Sequence, residues 1–130
     1  MTWSIDVTDL ESLSARLDAA TRRLPPQVYA VTRKSASVIR DDARSRVSTH
    51  PSWPQLASTI TVATRSLAGV HYEAVIGYDD QGQGELAGIA EYGSARKAPH
   101  PALLPAFAAE RPRYVQALAR ALGDTIEGAL

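Results

Sequence analysis

Three histidines, two adjacent aspartate pairs, one short glycine-bearing loop and a scatter of serines are the residues of this 130-residue chain that could do chemistry. Imidazole titrates near neutral pH and serves as general base or metal ligand. His50 and His100 each precede a proline, and His71 stands in an alternating apolar run. No two of them stand at metal-ligand spacing, and no His-Glu helical zinc pattern is present. Asp41-Asp42 and Asp79-Asp80 are sequence neighbours, which point apart on a helix or strand, so neither pair alone makes an acid–base dyad. Gly82-Gln83-Gly84 is too short to cradle a phosphate and is not followed by a lysine and a hydroxyl residue. No serine sits in the glycine-flanked elbow of a hydrolase. The lack of cysteine removes disulfides and thiolate metal sites. A small hydrolase would need Glu91 and His100 to converge in one pocket. These residues lead to the expectation of no enzyme, no metal and no cofactor.

The elements that would position these side chains follow from periodicity. Trp3, Ile5 and Val7 alternate with polar residues and predict a short strand. Thr8 and Glu11 fit a capping box, and Leu10, Leu13, Leu17 and Leu24 follow at helical spacing. A first helix is therefore expected over 9–24. Pro25-Pro26 should break it, with Pro26 starting a second helix that runs to about Val47. Val28, Val31, Ser35, Val38, Ile39 and Ala43 share one face of that helix. The proline-rich stretch 48–54 predicts a loop. The β-branched run 59–64 and the alternation of Val70, Tyr72, Ala74, Ile76 and Tyr78 predict an antiparallel hairpin turning at 67–69. A polar loop spans 79–85, and the apolar run 86–92 could be a third strand. A small basic loop spans 93–101. Helical spacing resumes with Leu103, Phe107, Tyr114, Leu118, Leu122 and Ile126, and Pro112 could kink or divide that segment.

Aromatics are sparse and alanine is abundant, so the core should be built from Ala, Leu, Val and Ile. No apolar run reaches the roughly 20 residues of a membrane span, and the N-terminus lacks the pattern of a signal peptide. Net charge is zero, yet the charges are segregated. Between Arg16 and Arg46 there are eight basic and three acidic residues, whereas 70–93 carries five acids and no base. Two solvated faces are one reading. The other is self-complementarity, in which Arg33, Arg40, Arg44 and Arg46 of one subunit meet Glu73, Asp79, Asp80 and Glu85 of the next, a head-to-tail contact of the kind that closes rings. The arginine-bearing helix is too diluted with acids to bind DNA nonspecifically as a monomer, although a ring of such subunits could line a DNA channel.

Two stretches carry a resemblance. Ala90-Glu91-Tyr92-Gly93-Ser94 is followed by Ala98-Pro99-His100-Pro101-Ala102-Leu103-Leu104-Pro105-Ala106. This resembles the small neck or tail-completion proteins of long-tailed double-stranded DNA phages and prophages. There a strand ends in Glu, an aromatic, Gly and a small hydroxyl residue, and a short basic loop leads to a proline-led last helix with an apolar pair and Pro-Ala. Glu91, Tyr92, Gly93, Ser94, Pro101, Leu103, Pro105 and Ala106 stand in those places. A weaker match is Pro51, Leu56, Thr59 and Ile60, where the family's Thr-Gly is missing and Trp53-Pro54 stands nearby.

The element order agrees along the whole chain. Physically, Gly93 would permit a φ > 0 turn, Ser94 would bond the turned backbone, Pro101 would fix the helix start and Tyr92 would cover the sheet. The expected fold is a single α+β domain over 1–130. It has two N-terminal helices, a small antiparallel β-sheet and a C-terminal helix packed on one sheet face. The resemblance implies a structural virion protein, made in the host cytoplasm and located in the virion neck or tail. It would be a subunit of the homo-oligomeric ring that joins head to tail. Its implied partners are other copies of itself, portal-side connector proteins, tail terminator or tail-tube proteins, and DNA passing through the channel, with no membrane. The alternative is a nucleic-acid-binding or regulatory module of a phage or prophage.

Overall fold

The computed structural model describes residues 8–67, 71–79 and 84–129. The expected strand of Trp3, Ile5 and Val7 lies outside them, as do Asp80 and the centre of the hairpin turn. The order is α1 (Thr8–Ser48), a 3-10 turn (Pro54–Thr59), β1 (Ile60–Leu67), β2 (His71–Tyr78), α2 (Gly84–Tyr92) and α3 (Leu103–Ala129). The mixed α+β class agrees with expectation, and the arrangement departs from it in three places.

First, the two expected N-terminal helices are one helix of 41 residues that runs through Pro25 and Pro26, about 60 Å long at 1.5 Å per residue. A proline forfeits its own backbone bond and crowds the carbonyl four residues earlier, while its fixed φ remains helical. The cost falls on the preceding turn. There Thr21, Arg22 and Arg23 are exposed, so water can take up the displaced carbonyls. Packing after the prolines holds the continuation: the Thr125 hydroxyl donates to Gln27 Oε1 at 2.8 Å.

Second, the expected third strand at 86–92 is helix α2. Ala87, Ala90 and Glu91 are its buried positions, an i, i+3, i+4 set that only a helix puts on one side. Short apolar runs do not separate the two conformations by pattern alone.

Third, α3 packs along α1 rather than on the sheet. The two helices run antiparallel. His100 lies by Arg46, Glu110 by Ser35, Tyr114 by Thr32 and Thr125 by Gln27. Alanines make the closest part of the contact: Ala36, Ala43, Ala102 and Ala106 are all essentially buried. Small side chains let the helix axes approach, and a two-stranded sheet has no room on one face for two helices.

The hairpin pairs Ile60 with Tyr78, Val62 with Ile76 and Thr64 with Ala74. An isolated two-stranded hairpin is marginal in water. α1 supports this one on its inner face, and Arg44 donates from Nε and Nη2 to the Ile60 carbonyl at 3.0 and 2.7 Å. Ile39, Ala43, Val47, Leu56, Ile60, Ala90, Ala102 and Ala106 form the core. Leu56, on the 3-10 turn, is fully buried at its centre. Ahead of Ala20, α1 is nearly bare: Leu13 alone is half-buried and the other described residues are exposed.

Candidate functional site

The residues that carry the resemblance form one hydrogen-bonded connector between α2 and α3. Glu91 leaves the last turn of α2 on its buried side. Its carboxylate accepts the backbone N–H of Ala102 at 2.9 Å, Leu103 at 3.0 Å and Leu104 at 3.1 Å. These are orphan donors at the start of α3, and a negative charge there is favoured by the helix dipole. The Tyr78 hydroxyl reaches the same carboxylate at 3.5 Å. Burial, and then the neighbouring Glu91 charge, push the Tyr78 phenol up to about 12.

Gly93 turns the chain with φ of 78°, and its N–H donates to the Ile89 carbonyl at 2.7 Å. Ser94 Oγ accepts the N–H of Arg96 at 3.3 Å and of Lys97 at 3.2 Å. The Ser94 N–H donates to the Lys97 carbonyl at 2.8 Å, and the His100 N–H to the Ala90 carbonyl at 2.7 Å. Pro101 leads into α3, Pro105 occupies the first turn where an N–H would have no helical partner, Leu103 packs on the core and Ala106 is buried in it. Tyr92 does not cover the sheet. It is 74% exposed, because the helical conformation of 84–92 turns it to the side opposite Ala87, Ala90 and Glu91.

Glu91 and His100 are not brought together as an acid–base pair. Glu91 is committed to backbone donors, and His100 Nε2 lies 3.2 Å from the Arg46 carbonyl on the last turn of α1. His100 belongs instead to a cluster that ties the 48–54 and 93–101 loops. His50 Nδ1 accepts two backbone N–H groups, from Ser52 at 3.0 Å and Trp53 at 2.9 Å. Its ring stacks on Trp53 and meets the His100 ring edge-on at 5.0 Å. Lys97 Nζ lies 4.8 Å from the Trp53 ring centroid and donates to Ser52 Oγ at 2.9 Å.

Burial, then the His100 and Lys97 charges, hold His50 below its ordinary value of 6.5. The unfolded chain therefore binds the proton first, and stability is lost as pH falls from about 6.5 toward the folded value. Urea midpoints measured from pH 7.5 to 5 should decline over that window. His50→Asn, which keeps an acceptor without titrating, should remove that part of the slope.

The expected charged faces are only partly assembled. Arg33 is exposed. Arg40 pairs with Asp41 and Arg46 with Asp42, each at 3.0 Å on the surface, contacts worth at most about 1 kcal/mol. Arg44 turns inward to the Ile60 carbonyl and so belongs to the fold. Glu73 pairs across the hairpin with Arg65, and the Asp79 N–H donates to the Thr59 carbonyl at 2.8 Å. Asp80 and the side chain of Glu85 lie outside the described residues.

Sequence reasoning placed Arg44 on the charged outer face, and its inward role has no sequence signal. It passed over Glu110, whose four-residue spacing from Ala106 and Ala102 could have placed it on the buried stripe. Its Oε1 accepts from Ser35 Oγ at 3.1 Å. Its Oε2 sits 3.1 Å from Arg113 Nη2, an ion contact without hydrogen-bond geometry.

Glu110 also borders a groove of about 690 Å³ between α1, β2 and α3. Ala36 and Ile39 form its floor, Tyr72, Ala74 and Ile76 one wall, and Phe107, Ala108 and Arg111 the other. Among the described residues no cluster of His, Asp or Glu could hold a metal ion, and no helix is long and apolar enough to cross a membrane. No family model, curated protein or solved structure matches this chain.

Proposed function

We propose that the chain is a structural subunit of a tailed double-stranded DNA phage or prophage, one copy of the ring that joins head to tail. The observation that carries this reading is that the resembling residues, Glu91 to Ser94 and Pro101 to Ala106, fall on a single connector whose bonds are spent on shape. Such residues set the angle between two helices, a property an assembly subunit depends on. Partners in this reading are further copies, portal-side connector proteins and tail terminator or tail-tube proteins, with DNA passing through the channel. Exposed Tyr92 and Leu104 flank the connector, where a neighbouring protein could reach them.

The test is deletion of the gene from its parent phage or prophage, followed by induction and electron microscopy of the lysate. Full heads and separate, unjoined tails are expected. Normal infectious particles would retire the reading, and the nucleic-acid or regulatory module would then be tested by a salt-dependent gel shift.

A further inference from the structure

The first turns of α1 and a second groove, lined by α1 and α3 alone, are two apolar surfaces of matching size and opposite charge. From 8 to 19 every residue of α1 is exposed except half-buried Leu13, and Leu10 and Leu17 are 64% and 42% exposed. These three leucines stand at helical spacing on the stripe that continues through Leu24, Val28 and Val31 to Ser35, where Glu110 of α3 meets it. The face that α3 covers farther along is open here.

The groove has a volume of about 710 Å³. Half-buried Val31, Val38, Ala117 and Ala121 form its floor, with exposed Lys34 on the α1 rim and Arg113, Arg120 and Asp124 on the α3 rim. Along α1 it runs from Gln27 to Val38, about 17 Å, and the bare segment 8–19 has the same length. A helix of that length, laid with its leucines on this floor, would make a third helix beside α1 and α3.

The charges fix a register. Glu11, Asp18 and Arg22 are seven and four residues apart and share one flank of α1 beside the leucine stripe. Arg113, Arg120 and Asp124 repeat the same two spacings on the groove rim with every sign reversed. All six are exposed, and Arg113 keeps 69% side-chain exposure despite its contact with Glu110. One placement sets Glu11 by Arg113, Asp18 by Arg120 and Arg22 by Asp124, and brings Asp9 on the other flank level with Lys34. It runs the segment parallel to α3 and antiparallel to the α1 that receives it. The reverse direction would set Arg22 by Arg113 and Glu11 by Asp124, like against like.

α1 is one continuous helix, so its first turns do not fold back onto the groove of their own chain. We infer that they lie in the groove of a second copy, and that two copies pair about a two-fold axis with their α1 helices antiparallel. The giving copy's own groove begins at its Gln27, past the Gln27 end of the receiving groove and alongside the receiver's own first turns. Both contacts therefore form at once, each copy giving and receiving. A two-fold pair is closed and does not propagate, so this is a state of the free protein, separate from the ring contacts of the functional reading.

The experiment uses the full chain. Light scattering on a sizing column should give twice the 14.0 kDa mass of one chain. Leu10→Asp with Leu17→Asp, at two exposed positions, should give a monomer with unchanged helical circular dichroism. Asp18→Arg and Arg120→Asp, each alone, should weaken the dimer about tenfold, since the two-fold axis repeats each lost pair. Combined in one chain, the two reversals should restore the parent dissociation constant, which two charges that never meet would not do.

A full chain that is monomeric, an oligomer larger than two copies, a dimer that survives the paired leucine substitutions, or reversals whose combination restores nothing overturns the inference.

Discussion

Glu91→Ala is expected to lower the free energy of unfolding by about 2–4 kcal/mol, read from urea melts at constant m-value. The carboxylate serves three backbone donors at the start of α3. One of the bonds is fully buried, so its amide has no ready access to water once the acceptor is gone. Glu91→Gln keeps one oxygen and exchanges the other for a donor, and about half the loss is expected. A Glu91→Ala protein as stable as the parent would mean that the carboxylate does not hold α3 in place. The connector would then need another account.

Gly93→Ala should cost about 2–4 kcal/mol, from two sources. A residue with a Cβ is disfavoured in the left-handed region by roughly 1–2 kcal/mol, and Gly93 sits at φ 78°. The added Cβ would also lie 2.8 Å from Pro99 N and 2.9 Å from Pro99 Cδ, an overlap that forces the loop to shift. Gly88, five residues earlier in the exposed face of α2, provides the comparison. A Cβ there meets nothing within 4 Å, and Gly88→Ala should stabilise by about 0.5–1 kcal/mol through helix propensity. The same substitution thus carries opposite signs at two nearby positions, and thermal melts of the pair of variants decide it.

The hairpin was legible in the sequence because alternation with β-branched residues over eight positions has one structural solution, and the register follows the pattern. The turn at Gly93 and Ser94 was legible for a similar reason, since glycine followed by a small hydroxyl has few backbone uses. Pro25-Pro26 misled because proline's penalty depends on whether the preceding turn can bend toward water, and exposure is a tertiary property. The run 86–92 misled because its seven residues satisfy both periods, and the choice was made by Glu91 reaching the α3 amides from a helix. Glu91 itself was singled out, but its role required knowing that α3, which begins twelve residues later in the chain, starts beside it in space. Arg44 was read as surface charge, and its partner is a single carbonyl on β1 that only the folded chain brings near.

The antiparallel contact of α1 with α3 joins residues far apart in the chain: Ser35 with Glu110, Thr32 with Tyr114 and Gln27 with Thr125. α1 emerges from the ribosome long before α3, so the alanines and Glu110 that will cover its stripe do not yet exist. Until α3 has been made, this helix of 41 residues can rely only on its own propensity and on the hairpin beneath it. Long-range closure of this kind is slow compared with local pairing. The nascent chain therefore carries an uncovered apolar flank until the 27 residues of α3 have been made and end that exposure.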